Sequence, residues 1–360
     1  MTDADLMRRA LFHAARAAGA TTPNPMVGAV VVSSQGVIVG QGRHPRAGEP
    51  HAEVFALDEA GTLARGGTMY VTLEPCCHYG RTAPCTRRLI ASGLARVVVA
   101  MKDPNPLVNG QGLAELRAAG LRVEVGLLEA DARRLNRAFV TVQTEGRPEV
   151  ILKAAASADG RIAARQGHRT DISSEAARRW AQRLRAAVDA IAVGSGTMLV
   201  DDPLLTVRDV VRSRPLVRVV FDRRLRTPPT ARLLSTVDAG PVIILSSAAA
   251  LAQAPGRARA LTDAGATVVP GADDVGGGLR ALLPFDVSSV LVEGGAILHR
   301  ALLDAGLVDT VHLIVAPRRL GEGGVPVFGT GGLGVEGLSP CAEAWLGPDK
   351  WMEFDVHGYR

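Results

Sequence analysis

The chain has 360 residues, more than one ordinary core holds, so two domains are expected. It is 47% apolar with no run long enough to span a bilayer, and it opens on the acidic stretch Met1-Thr2-Asp3-Ala4-Asp5 where a signal peptide would be apolar. A soluble cytoplasmic protein is therefore expected. The net charge of +5 would suit nucleic acid, but the arginines are dispersed and aromatic residues make up only 4%, too few for base-stacking platforms. A small phosphorylated ligand fits the basic balance better. Of the cysteines Cys76, Cys77, Cys85 and Cys341, three cluster as metal ligands do, and a disulfide framework is not expected in a chain this long.

Leu6, Met7, Ala10, Leu11, Ala14 and Ala17 recur at helical spacing, which predicts a helix over 3–18 with Asp3 as its cap. Thr22-Pro23-Asn24-Pro25 stops it. The flanking prolines hold the Asn24 amide in one place, either to read a ring edge or as part of a rigid turn. Val27 to Val32 reads as a buried strand and Val37 to Gly40 as its partner, across a turn at Gln35-Gly36. A helix over 51–61 starts at His51, and a strand runs from Thr68 to Leu73. Cys76 lies just past that strand, where open α/β sheets place their sites. A helix near 85–92 starts at Cys85. Glu53 and Cys85 thus both sit at helix starts, where unpaired N–H groups and the dipole favour thiolate. A strand over 97–101, the turn Asp103-Pro104-Asn105-Pro106, a helix over 112–119 and a strand over 123–125 complete a layered α/β domain over 1–145.

The stretch from His51 to Cys85 carries the chemistry. One imidazole and two thiolates make three zinc ligands and leave a fourth position for water, the pattern of a catalytic site. Glu53, two residues after His51, can move protons at that water. Together these form the apparatus of hydrolytic deamination of an amino-substituted ring. The common signature ends in Cys-x-x-Cys, whereas eight residues separate Cys76 from Cys85 here. Cys77 and His78 are further possible ligands. Cys76 and Cys85 are preferred because each follows a proline. A closed structural zinc knot that includes Cys77 or His78 is the alternative, and it would leave Glu53 without a role.

A break follows at Thr144-Glu145-Gly146-Arg147-Pro148, and a second α/β domain is expected over 149–360. Its predicted elements are a strand over 150–154, a turn at 157–161, a helix over 174–187 capped by Ser173 or Ser174, strands over 190–193, 216–221, 242–245 and 289–292, a helix over 297–305 and a strand over 310–316. A Gly-rich tail follows. Gly276-Gly277-Gly278 reads as a short loop. Strands run into glycine at Gly194–Gly196 and at Gly294–Gly295. Such joins admit a phosphate to backbone N–H groups or are plain turns. Neither is G-x-G-x-x-G, so a Rossmann domain is not supported.

Thr22 to Gly28, Ala47 to Glu53, Thr72 to Cys85 and Asp103 to Pro106 together resemble the bifunctional riboflavin-biosynthesis deaminase/reductase family. That family shares the long insert with Gly80-Arg81-Thr82 before the second zinc cysteine. The resemblance implies a cytidine-deaminase-like first domain, with zinc on His51, Cys76 and Cys85, Glu53 as proton shuttle and Asn24 on the substrate. The second half resembles the family's reductase domain, similar in fold to dihydrofolate reductase. The matching residues are Lys153, Ser157 to Arg161, Leu184-Arg185, Thr197, Asp201 to Leu204, Thr206, Arg208 and Glu293 to Gly295. The resemblance places NADPH near Ala155, Asp171, Thr197, Asp201, Gly294, Gly295 and Ala296. It places the substrate's phosphate or ribose near Arg185, Leu204, Arg208 and Glu293.

Four positions depart from the family. Cys77 and Ala83 replace a smaller residue and a proline. Asp171 and Arg169 stand where a tryptophan and a serine are usual, and an aspartate there would weaken a cofactor's cover. The expected function is zinc-dependent deamination of a ribosylamino-pyrimidine phosphate, then NADPH reduction of the ribose to a ribityl chain. The alternative keeps only the deaminase, with the second domain inactive or used for assembly. A homo-oligomer without nucleic-acid or membrane partners is expected.

Overall fold

Two chain units, one ending at Gly146 and one beginning at Arg147, each build their own sheet and core. The computed structural model describes residues 1–78, 84–271, 273–329, 335 and 338–357. No helix among them is long and apolar enough to cross a membrane.

The first unit starts with α1 (Asp3–Ala15). Its cap is Thr2 rather than Asp3. Thr2 is extended, its hydroxyl accepts the Asp5 N–H, and the Asp5 carboxylate takes the Thr2 N–H in return. Asp3 instead accepts the Tyr70 hydroxyl at 2.7 Å and pairs with Arg96. Next come β1 (Gly28–Val32), β2 (Ile38–Arg43), α2 (Ala52–Ala60), β3 (Thr68–Leu73), α3 (Cys85–Ala91), β4 (Arg96–Met101), α4 (Gln111–Ala118) and β5 (Arg122–Val125). Two helices absent from the sequence reading close the unit, α5 (Glu129–Leu135) and α6 (Arg137–Glu145). Asn136 between them interrupts the apolar period. Its side chain accepts from the Met26 N–H and donates to the Met26 carbonyl.

The sheet order is β2-β1-β3-β4-β5. β1 is antiparallel to both neighbours, while β3, β4 and β5 are parallel. Every residue of β1 is buried, so the strand reads as a continuous apolar run. Gly40 and Gly42 let α2 lie directly on β2, since a Cβ at either would come within about 2 Å of a helix carbonyl. That contact fixes where α2 begins, and so where His51 and Glu53 stand.

The second unit is larger. Its elements are β6 (Glu149–Ser157), β7 (Arg161–Ala163), α7 (Glu175–Ala187), β8 (Ala190–Gly194), α8 (Ser195–Asp201), β9 (Val217–Phe221), β10 (Val242–Ser246), α9 (Ala248–Gln253), α10 (Pro255–Asp263), β11 (Ala266–Pro270), α11 (Val275–Arg280), β12 (Ser289–Gly294), α12 (Ala296–Asp304), β13 (Thr310–Ala316), β14 (Val325–Pro326), β15 (Ala342–Leu346) and β16 (Asp349–Asp355). The main sheet runs β11-β10-β9-β8-β12-β6-β13-β16-β15, with β7 and β14 paired separately. It is parallel from β11 to β13; β16 and β15 add an antiparallel edge. Alternate residues feed two apolar layers: Val290 and Val292 enter one, and Leu291 the other.

Two sequence expectations are corrected here. Gly276 to Gly278 form part of α11, not a loop. Asp274 caps that helix, and a Cβ on Gly278 would meet the Phe221 ring at 2.7 Å, so glycine serves close packing. The tail after β13 is not only glycine-rich connection, because β15 and β16 complete the sheet. Ser174, not Ser173, caps α7.

Candidate active sites

The first site forms where two helices start beside one strand end. His51 is the N-cap of α2, Cys76 follows β3, and Cys85 is the first residue of α3. The His51 Nδ1 lies 3.5 Å from the Cys76 Sγ and 3.3 Å from the Cys85 Sγ. One donor atom from each residue lies within 4.8 Å of the other two. Among the described residues this is the only such donor cluster, and neither Cys77 nor His78 belongs to it. The stretch Gly80-Arg81-Thr82 and Ala83 lie outside the described residues.

Electrostatics prepares the cluster for a cation. The Cys85 thiol and the free backbone N–H at the start of α3 both point to the Cys76 sulfur, at 3.4 Å for the N–H, and hold Cys76 as thiolate with a pKa of about 4. The pair shares a proton, so the Cys85 thiol moves up. The Cys76 sulfur raises the His51 pKa against the effect of burial. Glu53, in the first turn of α2, is only 3% exposed. Burial raises its pKa, and its Oε2 has no hydrogen-bond partner among the described residues. A buried carboxyl oxygen without a partner, beside three metal-type donors, fits a site built to hold a metal ion.

Asn24 reaches this region through a residue the sequence reading missed. Its Nδ2 lies 3.1 Å from the His44 Nε2, and the His44 Nδ1 lies 3.1 Å from the Pro50 carbonyl. That carbonyl can only accept, so Nδ1 carries the proton and Nε2 accepts from Asn24. The His44 ring also meets the His51 ring edge-on, with centroids 5.3 Å apart. His44 lies outside every stretch that pointed to chemistry, and only its place between Arg43 and the His51 region could have suggested it.

The second site is a cavity of about 1610 Å³ at the carboxyl ends of the parallel strands. Its lining includes Ala155, Asp171, Arg185, Thr197, Asp201, Leu204, Arg208, Glu293, Gly294, Gly295 and Ala296, so it gathers every residue expected in the second half. Its volume exceeds the common range for one drug-sized ligand and suits two ligands side by side. Gly196 opens onto it with no atom near the position of a Cβ.

Three side chains on the cavity lining have shifted pKa values. Burial alone would raise Glu293, but the Arg185 fork, at 2.8 and 2.6 Å, and nearby Lys153 bring it down to about 2. Burial lowers the Lys153 pKa against the pull of Glu293. His299 donates from Nε2 to the Val292 carbonyl, its Nδ1 has no partner among the described residues, and burial pushes its pKa down to about 4. One expectation changes in detail: the Arg185 fork is filled by Glu293, so it is not free to grip a phosphate. Arg208 is exposed on the same lining. Arg169 and Asp171 pair with each other at 3.3 Å, so the two departures from the family offset one another's charge.

Comparison with known proteins identifies the family. A cytidine and deoxycytidylate deaminase zinc-binding region matches residues 1–101, and a RibD C-terminal domain matches residues 148–340. The chain is 41% identical to the riboflavin biosynthesis protein RibD of Aquifex aeolicus, over 93% of this chain and 92% of that protein. The chain belongs to the RibD family. It is also 42% identical to the Escherichia coli K12 RibD, over 89% of each chain. The solved structure of Acinetobacter baumannii RibD covers 98% of both chains with a TM-score of 0.86 at 36% identity. A deaminase/reductase structure from Thermotoga maritima covers 98% of both at 0.85 and 33%. The first unit therefore has the cytidine-deaminase-like fold and the second the dihydrofolate-reductase-like fold. Joined in one RibD chain, they act as deaminase and then reductase in riboflavin biosynthesis.

Proposed function

We propose that the first unit removes the ring amino group of a diaminopyrimidine carrying a phosphoribosylamino group, and that the second reduces the ribosyl chain of the product with NADPH. The observation that carries the first half is the His51, Cys76 and Cys85 donor set beside the partnerless Glu53 oxygen. Sulfur and imidazole donors in threes suit zinc, which when bound supplies Lewis acidity that lets water lose a proton near neutral pH. Glu53 accepts that proton and returns it to the departing amine, which leaves as ammonia. Its raised pKa suits both halves of that task. Asn24, with Nδ2 held by His44, keeps its carbonyl oxygen for a ring N–H.

In the second unit Gly196, Thr197, Asp201 and Gly294 to Ala296 form the cofactor side of the cavity, with Ala155 and Asp171 on its wall. NADPH when bound supplies a hydride to the sugar carbon next to nitrogen. A proton must reach the ribose ring oxygen as the ring opens. Lys153 is placed to give it, since burial makes its ammonium more acidic than an ordinary lysine. Glu293 and Arg185 hold the ribose side, Leu204 covers the ring, and Arg208 meets the phosphate.

The test supplies purified protein with the diaminopyrimidine substrate and then with its deaminated product plus NADPH. Ammonia release from the first and NADPH oxidation with the second are expected. Ammonia release without product-dependent oxidation would contradict the second half of the reading.

A further inference from the structure

Arg218 is the largest fully buried side chain among the described residues, with no exposed surface, and none of the ion pairs found there includes it. It lies on β9, where Val217, Val219 and Phe221 face one apolar layer and Val220 the other. Strand alternation puts Arg218 on the side of Val220, among Leu205, Leu216 and Leu233. Burial lowers its pKa, so a charge is kept here at a cost. What it gains is five hydrogen-bond contacts from the four hydrogens of NH1 and NH2, one of them shared, while Nε has no partner among the described residues. NH1 donates to the Leu204 carbonyl at 3.3 Å, the Leu233 carbonyl at 3.0 Å and the Thr236 hydroxyl at 2.7 Å. NH2 donates to the Thr236 carbonyl at 2.7 Å and the Gly240 carbonyl at 2.5 Å.

One of those acceptors belongs to the segment that carries Leu204 and Arg208 along the cavity wall. Among the described residues, 203–208 make no backbone-to-backbone hydrogen bond. Side chains hold the segment instead. Arg218 takes the Leu204 carbonyl, Arg185 takes the Thr206 carbonyl at 2.9 Å, and Gln182 accepts from the Arg208 N–H at 2.9 Å. The segment also starts under strain, with Asp202 at φ +38° and Leu205 at φ +54°. A second tie runs beside the first: Asp202 Oδ1 accepts the Arg232 N–H at 2.8 Å, at the start of the same helical turn that Arg218 grips through Leu233 and Thr236.

We infer that Arg218 is a positioning residue for the reductase site, holding Leu204, and through it the 203–208 segment, against the 232–240 segment so that the cavity wall meets the sugar phosphate in one fixed shape. The inference rests on the proposed reduction. A guanidinium is suited to the task because its planar fork reaches several carbonyls at fixed angles, whereas an ammonium is a single point donor.

Two variants of the full chain test it. Arg218→Lys keeps the charge and loses the fork. Asp202→Ala cuts the parallel tie outside the apolar layer, so it spares the core if Arg218→Lys does not fold. Each is assayed with NADPH and the deaminated pyrimidine substrate, with ammonia release by the first unit as an internal control. KM for the pyrimidine substrate is expected to rise roughly 10-fold in each, with kcat within about threefold and ammonia release unchanged. A residue that only supports the fold would lower the active fraction, and so kcat, at constant KM; that result in both variants overturns the inference. Hydrogen exchange without ligand is the second arm, read at the Arg208 N–H, which Gln182 accepts, and at the Leu234 and Gly240 N–H groups of the gripped turn. Faster exchange in the variants is expected, and unchanged exchange counts against the pin. If the unaltered protein fails to oxidise NADPH, the functional reading fails and the exchange arm alone decides the inference.

Discussion

The two sites reach their chemistry over very different lengths of chain. In the first unit the donor atoms come from between His51 and Cys85, brought together by two helix starts and one strand end. In the second the cavity draws on residues from Lys153 to Pro326, collected because many parallel strands end on the same edge. The first site is held by bonds among its own members, with the Cys85 N–H on the Cys76 sulfur and the His51 nitrogen between the two sulfurs. The second is held from behind, by Arg185 on Glu293 and on the Thr206 carbonyl, and by Arg218 on the Leu204 carbonyl. A compact donor set needs only local geometry, whereas a long cavity needs a wall that the sheet alone does not supply.

That difference can be tested by changes that strike one unit and spare the other. Glu53→Gln keeps the shape and removes the proton shuttle. Ammonia release should fall by about 10²–10⁴-fold. Zinc content by metal analysis, and NADPH oxidation with the deaminated substrate, should stay as they were. Loss of both activities would break the idea that the sites work separately.

Next in size is an acid sensitivity that His299 gives the second unit. His299 has a folded pKa of about 4, below its ordinary value of 6.5. The unfolded chain therefore binds the proton more readily between those values. The stability that neutral His299 contributes is present above pH 6.5 and is lost as pH falls toward 4, by about 3 kcal/mol in all. All three tryptophans, Trp180, Trp345 and Trp351, lie in the second unit, so their fluorescence follows its unfolding alone. Urea titrations across that pH range should show this slope, and His299→Leu should flatten it. An unchanged slope in the variant would assign the acid sensitivity to another group.

The smallest effect sharpens the same contrast from the other side. Thr2→Ala removes the hydroxyl of the α1 capping box and should cost the first unit about 1 kcal/mol. Hydrogen exchange in α1 should report the loss, while the tryptophan signal should not move.

The contrast also explains what could be read from the sequence. His51, Glu53, Cys76 and Cys85 were legible because helix starts and strand ends leave marks within a few residues: a proline before each cysteine, and a turn after β3. Most of the parallel strands were legible as apolar runs, but the edge strand β11, with Ala266 and Pro270 at its ends, was not. Helices α5 and α6 were not, since Asn136 breaks their period to hold Met26. The three glycines of α11 misled because glycine signals a turn locally, while here it admits the Phe221 ring, a neighbour far away in sequence. His44 and Arg218 act through partners that nothing in their own stretches announces. The Arg185 fork shows the limit on roles: its residue type suits a phosphate, and only the fold shows that Glu293 already fills it.

The measurement that tests the account most directly is metal removal. The protein is stripped with a chelator, and both activities are then followed on the same sample. The account predicts that ammonia release disappears and returns when zinc is restored, while NADPH oxidation with the deaminated substrate continues throughout. Ammonia release that survives complete metal removal would contradict the assignment of His51, Cys76 and Cys85, and parallel loss of both activities would contradict two separate sites.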